Sequence, residues 1–286
     1  MDGIIIIDKP KGWTSNDIVQ KVKKISKEKV GHTGTLDPLA TGVLPILIGK
    51  GTKISKYLIN HDKKYIAKIK LGMKTTTADL EGEIIEEQKV NEELFNKENI
   101  ERILSSFKGK IEQTPPIYSA VKLKGKKLYE YARKGEKIEI PKRTIEIYNI
   151  KLISLSKEEK EIEYEVECSK GTYIRTLCED IAKKLNTLGT MSDLKRMRVG
   201  DFGINQAINI EELNEENISS KLIKFEDIFE RNEKINLEES KRESFLNGVK
   251  LDNINKDGVY KIYIDDKFVG LGTIRNNFLK RDIILI

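Results

Sequence analysis

The chain has 286 residues, 38% hydrophobic and 34% charged, the balance of a soluble globular protein with room for one large domain or two. Its net charge of +6 is too small to decide a partner, and no apolar run approaches the length of a membrane span. Two cysteines, Cys168 and Cys178, cannot build a disulfide framework, and the two histidines, His32 and His61, show no metal-ligand spacing with them. An extracellular scaffold and a zinc site are therefore disfavoured, and a reducing cytosol is favoured.

Residues 3–15 (GIIIIDKPKGWTS) read as a strand, a Lys-Pro-Lys-Gly turn and a helix cap at Thr14, Ser15 or Asn16. The apolar run at residues 4–7 is too short for a signal peptide and has no basic flank before it. Lys9 and Lys11 read equally well as a solvated turn or as part of a site. Residues 17–26 place Ile18, Val22 and Ile25 at helical spacing.

Residues 31–46 (GHTGTLDPLATGVLPI) hold one carboxylate, Asp37, between Leu36 and Pro38 among glycines and threonines. The proline biases Asp37 away from helical dihedrals, and the apolar run that follows has the content of a buried strand. A loop that presents one acid beside a buried strand suits a catalytic group; it also suits a solvated turn. Residues 63–72 (KKYIAKIKLG) alternate strictly, with Tyr65, Ala67, Ile69 and Leu71 on one face and Lys64, Lys68 and Lys70 on the other. Taken alone, Tyr65 reads as a core aromatic. Residues 91–107 carry a helical pattern through Leu94, Phe95, Ile103, Leu104 and Phe107.

Residues 108–143 hold eleven cations against four anions, a local +7 that leaves the rest of the chain at −1. Tyr118, Tyr129 and Tyr131 are interleaved with those cations, as in segments that grip a nucleic-acid backbone. A solvated Lys-rich hairpin has the same composition. Residues 145–170 read as two strands about a charged KEEKE turn, and a helix follows from about Thr176 with Arg175 at the junction. Cys178 reads as a core residue of that helix. Residues 191–202 (MSDLKRMRVGDF) look like a basic turn. Residues 204–239 read as a connection, and the last fifty residues as short strands divided by Asp-Asp and Asn-Asn turns.

Several of these runs together resemble the TruB family, the bacterial tRNA pseudouridine-55 synthases. The resemblance rests on DKPKGWTS, the LDPLATG loop, the KKY strand, TTTADLEG with Asp79 and Gly82, QTPPIYSAVKLKGKKLYEYARKG and KGTYIRTL. It covers nearly the whole chain in order. It implies an α/β (α+β) pseudouridine synthase fold with a mixed, largely antiparallel sheet, followed by a small all-β PUA-like module more weakly marked by FVGLGTI. The implied division is residues 1–230 for catalysis, with a basic RNA-gripping insertion at about 108–143, and 231–286 for RNA binding.

The resemblance also implies roles. Asp37 is the catalytic carboxylate, Arg175 its salt-bridge partner, and Tyr65 stacks on the target base or accepts a proton. Tyr173 and Leu194 border the substrate, His32 fills space that the flipped nucleotide vacates, and Lys122, Lys124, Lys126 and Lys127 meet the RNA backbone. Lys195, Arg196 and Arg198 lie near phosphates. Thr190 stands where many members carry His. The implied reaction converts uridine 55 in the T-loop of tRNA to pseudouridine in the cytoplasm, without cofactor, guide RNA or membrane. Three other readings compete: a guide-dependent rRNA pseudouridine synthase, a non-catalytic RNA-binding protein and a glycoside hydrolase. The hydrolase lacks a convincing second acid beside the LDP loop.

Overall fold

The computed structural model describes residues 1–286 apart from Glu92, Leu94 and Lys137. Among the described residues ten strands form one sheet. Its main strands are β1 (Gly3–Lys9), β2 (Thr41–Ile48), β3 (Lys63–Leu71), β4 (Gly109–Gln113), β5 (Arg143–Ser156), β6 (Glu161–Cys168) and β7 (Gly189–Val199). They lie in the order β1-β2-β7-β3-β6-β5-β4, and only β2 with β7 and β1 with the short strand Ile208–Asn209 run parallel. The sheet is mixed and largely antiparallel.

The Ile run of β1 is continuous because both faces of that strand are covered. Ile5 and Ile7 enter the main core, while Ile4 and Ile6 join a second cluster behind the sheet. In β2, Leu44, Ile46 and Ile48 face the main core, and Val43 and Leu47 face the second cluster. On its outer edge β2 pairs with β7 only at residues 41–42 and with Val30–His32 only at residues 46–48. The unpaired stretch between tolerates Pro45 and leaves the Val43 carbonyl available.

Helix α1 (Ser15–Ser26) is capped by Thr14 in a reciprocal capping box with Asp17, and buries Ile18, Val19 and Val22. Helix α2 (Lys97–Ser105) starts six residues later than its apolar pattern suggests. Asn96 accepts from the Asn99 N–H and caps it, while Asn91 already turns the chain by accepting from the Glu93 N–H. Phe95, Ile103, Leu104 and Phe107 are buried; Leu94 lies outside the described residues. Helix α4 (Ile174–Lys184) begins two residues early, so Arg175 sits in its first turn. Between β4 and β5 the chain projects as a hairpin, Lys122–Leu123 with Lys126–Lys127, and helix α3 (Leu128–Arg133).

Two expectations about charge change in the fold. The lysine face of β3 is not a free basic surface: Lys64, Lys68 and Lys70 meet Glu165, Glu163 and Glu159 from β6 and the turn before it. The run MSDLKRMRV is not a turn but β7, at the centre of the sheet between β2 and β3. Residues 204–223 also do more than connect. Ile208–Asn209 extends the sheet, Ile210, Leu213 and Ile218 are in the main core, and Ile223 bridges to Ile4.

The C-terminal module is PUA-like. It has a sheet in the order Lys234–Leu237, Gly258–Ile264, Lys267–Arg275, Phe278–Ile284, Leu251–Asp252. Its hairpins turn at Asp265-Asp266 and Asn276-Asn277, all four with positive φ, as two-residue loops of this kind require.

Candidate active site

Asp37 lies on a loop held from two sides. From α1, Ser15 Oγ donates to the Leu36 carbonyl at 3.0 Å and accepts from its N–H at 2.8 Å. From the turn before α1, the Gly12 N–H donates to the Pro38 carbonyl at 2.8 Å, and Lys9 Nζ donates to the same oxygen at 3.3 Å. Lys9 is fully buried and also donates to the carbonyls of Pro10 and Trp13, which overturns the solvated-turn reading for this residue. Burial pulls its ammonium down to about 8. Lys11 stays at the surface, near Asp193.

From the sheet, Arg196 of β7 reaches under the loop. Its Nε donates to the Val43 carbonyl at 2.7 Å, and its two terminal nitrogens donate to the carbonyls of Gly34 and Thr35. Close approach of the two backbones demands Gly42, whose φ is +101° and whose Cβ, if present, would lie 2.2 Å from the Arg196 carbonyl oxygen. Arg196 is 2% exposed, so it serves the loop and not a phosphate. The charge pattern missed it. The period-2 rhythm of a strand, which puts Leu194 and Arg196 on one face, was the signal that could have found it.

Arg175 Nε stands 3.1 Å from Asp37 Oδ2. The contact is single: the other two nitrogens donate to the carbonyls of Thr77 and Tyr118, each at 3.0 Å. Arg175 also faces a second acid, Asp79 Oδ2, at 3.7 Å. Asp79 is buried and accepts from Thr77 Oγ1 and from the Glu81 N–H. The second carboxylate that spacing did not disclose is therefore present, bound into its own turn. Burial pushes the Asp37 carboxyl up from its usual range; Arg175 opposes this, and Asp79 adds to it. With 36% of its side chain exposed, Asp37 remains open to a substrate.

The loop forms one wall of a cleft of about 1050 Å³. Tyr65 and Leu194, on the adjacent strands β3 and β7, line it as apolar surface, and Tyr173, Tyr118 and Tyr129 line it as well. Burial raises the Tyr65 phenol above its usual value, with Arg196 opposing, so its proton stays on at neutral pH. Among the described residues no cluster of His, Cys, Asp and Glu is arranged to hold a metal ion.

Residues 22–174 match the description "TruB family pseudouridylate synthase (N terminal domain)", and residues 175–227 match "tRNA pseudouridylate synthase B C-terminal domain". The tRNA pseudouridine synthase B of Clostridium tetani is 46% identical over 279 residues, covering 95% of each chain. The chain belongs to the TruB family of pseudouridylate synthases. The TruB relative from Aquifex aeolicus, which bears the same name, is 39% identical over the full length of both chains. Among solved structures, a Cbf5-Nop10-Gar1 complex matches with a TM-score of 0.69 and 28% identity, over 95% of this chain and 78% of that one.

Of the residues marked by the TruB resemblance, Asp37, Tyr65, Arg175, Tyr173 and Leu194 line the one cleft. His32 does not line it. It sits on the short strand Val30–His32, where its Nδ1 accepts from the Gly34 N–H and burial lowers its basicity. Lys122, Lys124, Lys126 and Lys127 are also outside it, on the projecting hairpin, where Lys126 and Lys127 lie over the rings of Tyr131 and Tyr129. Besides Arg175 and Arg196, the cations that line the cleft are Lys63, Lys170, Arg133 and Arg143. Thr190 is fully buried and donates to the Met73 carbonyl, a structural contact.

Proposed function

We propose that this TruB-family protein isomerises uridine 55 in the T-loop of tRNA to pseudouridine, with Asp37 as the reacting carboxylate. The observation that carries this reading is the Asp37–Arg175 pair at 3.1 Å on the wall of a cleft lined by Tyr65 and Leu194. The relatives named tRNA pseudouridine synthase B support the substrate class.

The target base leaves its stack, at a cost of a few kcal/mol, and is received between the Tyr65 ring and Leu194. The bond between N1 and the sugar C1′ breaks with its electron pair passing to the uracil. Positive charge grows on the sugar, and the ionised Asp37 either stabilises it or bonds to C1′. The uracil turns and C5 joins C1′, any Asp37–C1′ bond breaking with its pair returned to the carboxylate; the C5 proton then leaves and N1 takes one up. Nothing is oxidised or consumed, so the reaction calls on no cofactor. Arg175 holds Asp37 ionised against the burial that favours its neutral form.

In this reading residues 1–230 form the catalytic domain and 231–286 a PUA-like RNA-binding domain. Tyr173 borders the flipped nucleotide, and His32 props the space it leaves. The hairpin lysines hold the T-stem backbone, and no guide RNA takes part. The protein acts in the cytoplasm.

The test is to incubate the protein alone with an unmodified tRNA transcript and map pseudouridine along it. Conversion at position 55 without guide or cofactor is expected. No product, or product at another position, would falsify the assignment.

A further inference from the structure

The first turn of α4 carries Arg175 yet lacks an ordinary cap. Its cap position is Tyr173, whose side chain makes no capping hydrogen bond. Helix starts usually recruit Ser, Thr, Asp or Asn there, because their N–H groups lack intrahelical partners. Here the cap residue itself is instead held from another strand. Gln113, the last residue of β4, is 2% exposed. Its Oε1 accepts from the Tyr173 N–H at 2.8 Å, and its Nε2 donates to the Tyr173 carbonyl at 3.0 Å. A carboxamide carries donor and acceptor on one plane, so it pairs with both backbone groups of a residue as a neighbouring strand would.

Two further contacts continue the seam. Thr176 Oγ1 donates to the Thr114 carbonyl, and Arg175 donates to the Tyr118 carbonyl. The start of the projecting segment is thereby stitched to the turn that aims Arg175. We propose that Gln113 is a positioning residue that fixes the first turn of α4 and, through it, the approach of Arg175 Nε to Asp37. The inference rests on the reading of Asp37 as the reacting carboxylate.

Asp37 is faced by Arg175 from α4, Asp79 and Glu81 from the segment after β3, Lys9 from β1, Tyr65 from β3 and Arg196 from β7. Of these, only Arg175 is aimed by the Gln113 contact. Loosening it leaves burial less opposed and moves Asp37 toward its neutral form.

The test compares the native protein with Gln113→Met, which keeps the volume without either hydrogen bond. It also uses Gln113→Glu, which still accepts from the Tyr173 N–H but turns a carboxylate oxygen toward the Tyr173 carbonyl. Single-turnover rate on saturating tRNA, KM and melting temperature are measured across pH. In both variants the rate is expected to fall about tenfold, as small misplacements of a reacting group cause. KM should hold within about twofold, and the acid limb of the rate profile should move to higher pH. Native rates in both folded variants would overturn the inference, as would a fall with an unmoved acid limb or a rise in KM alone. If Gln113→Met does not fold, Gln113→Glu decides by rate and KM alone, since its own carboxylate would also raise the Asp37 pKa. A native protein that makes no pseudouridine sinks the proposed function itself, whereas an active native protein with unaffected variants sinks only the role of Gln113.

Discussion

At the scale of single residues, the site is one carboxylate whose charge state is contested. Burial favours neutral Asp37 and Arg175 favours the ion. Asp37→Asn removes the charge that the proposed mechanism needs while keeping the shape. Its rate is expected to drop by roughly four orders of magnitude or more, the scale seen when a nucleophile is lost. tRNA affinity measured on the same variant should change little, because a carboxylate repels phosphate and, on the proposed reading, Asp37 meets one nucleotide.

Arg175→Lys is a second test at this scale. An ammonium cannot serve Asp37 and the carbonyls of Thr77 and Tyr118 together from Arg175's position, so activity is not expected to be restored. On the proposed mechanism the rate needs ionised Asp37, so it is expected to fall as pH drops through the folded pKa. Weakening the Arg175 contact raises that pKa further, so the acid limb of the Lys variant should lie at higher pH than in the native protein. A Lys variant with native rate and native pH profile would show that a nearby positive charge is all that matters.

Among secondary-structure elements, the projecting segment separates two kinds of cation. Lys122 and Lys124 are exposed on the hairpin and Lys126 and Lys127 stack on tyrosines there, whereas Arg133 and Arg143 border the cleft. Each phosphate contact adds roughly 0.7 to 0.9 to the slope of log affinity against log salt. Changing the four lysines to Gln should lower that slope by roughly 2 to 3 if about three of them meet phosphate. Turnover on saturating tRNA should be nearly native. The measurement is tRNA affinity over a salt series, with circular dichroism to confirm folding; an unchanged slope would assign the four to bulk surface and turn attention to Arg133 and Arg143.

Over the whole molecule, the C-terminal module packs on the back of the catalytic sheet. Ile4, Ile6, Val43 and Leu47 share a cluster with Leu271, Ile283 and Leu285. Around it Lys56 and Tyr57 meet Asp282, and Lys53 Nζ donates to the Ile284 carbonyl. Leu271 is fully buried at this junction. Leu271→Ala should cost about 2–4 kcal/mol, as cavities in well-packed cores do. Denaturant unfolding should still show one transition, shifted to lower midpoint. Two separated transitions in the native protein would mean that the two parts unfold independently and that this cluster does not couple them.

Much of the site was legible in the sequence because it depends on local chemistry. Alternation along residues 63–72 put Tyr65 on the buried face, Pro38 kept Asp37 off a helix, and Asp-Asp and Asn-Asn pairs marked the C-terminal hairpins. Periodicity and turn residues report how a segment faces its own axis, and that survives folding. Tertiary structure alone decided which charges are free. Lys9 and Arg196 are buried because carbonyls of Trp13, Pro38, Gly34 and Val43 converge on them. Lys64 and Lys68 meet glutamates because β6 pairs beside β3. Asp79 became a neighbour of Asp37 only because both reach Arg175. A charge count weights every cation alike, whereas the fate of each depends on oxygens delivered by segments as much as 162 residues away, and only the folded chain brings those together.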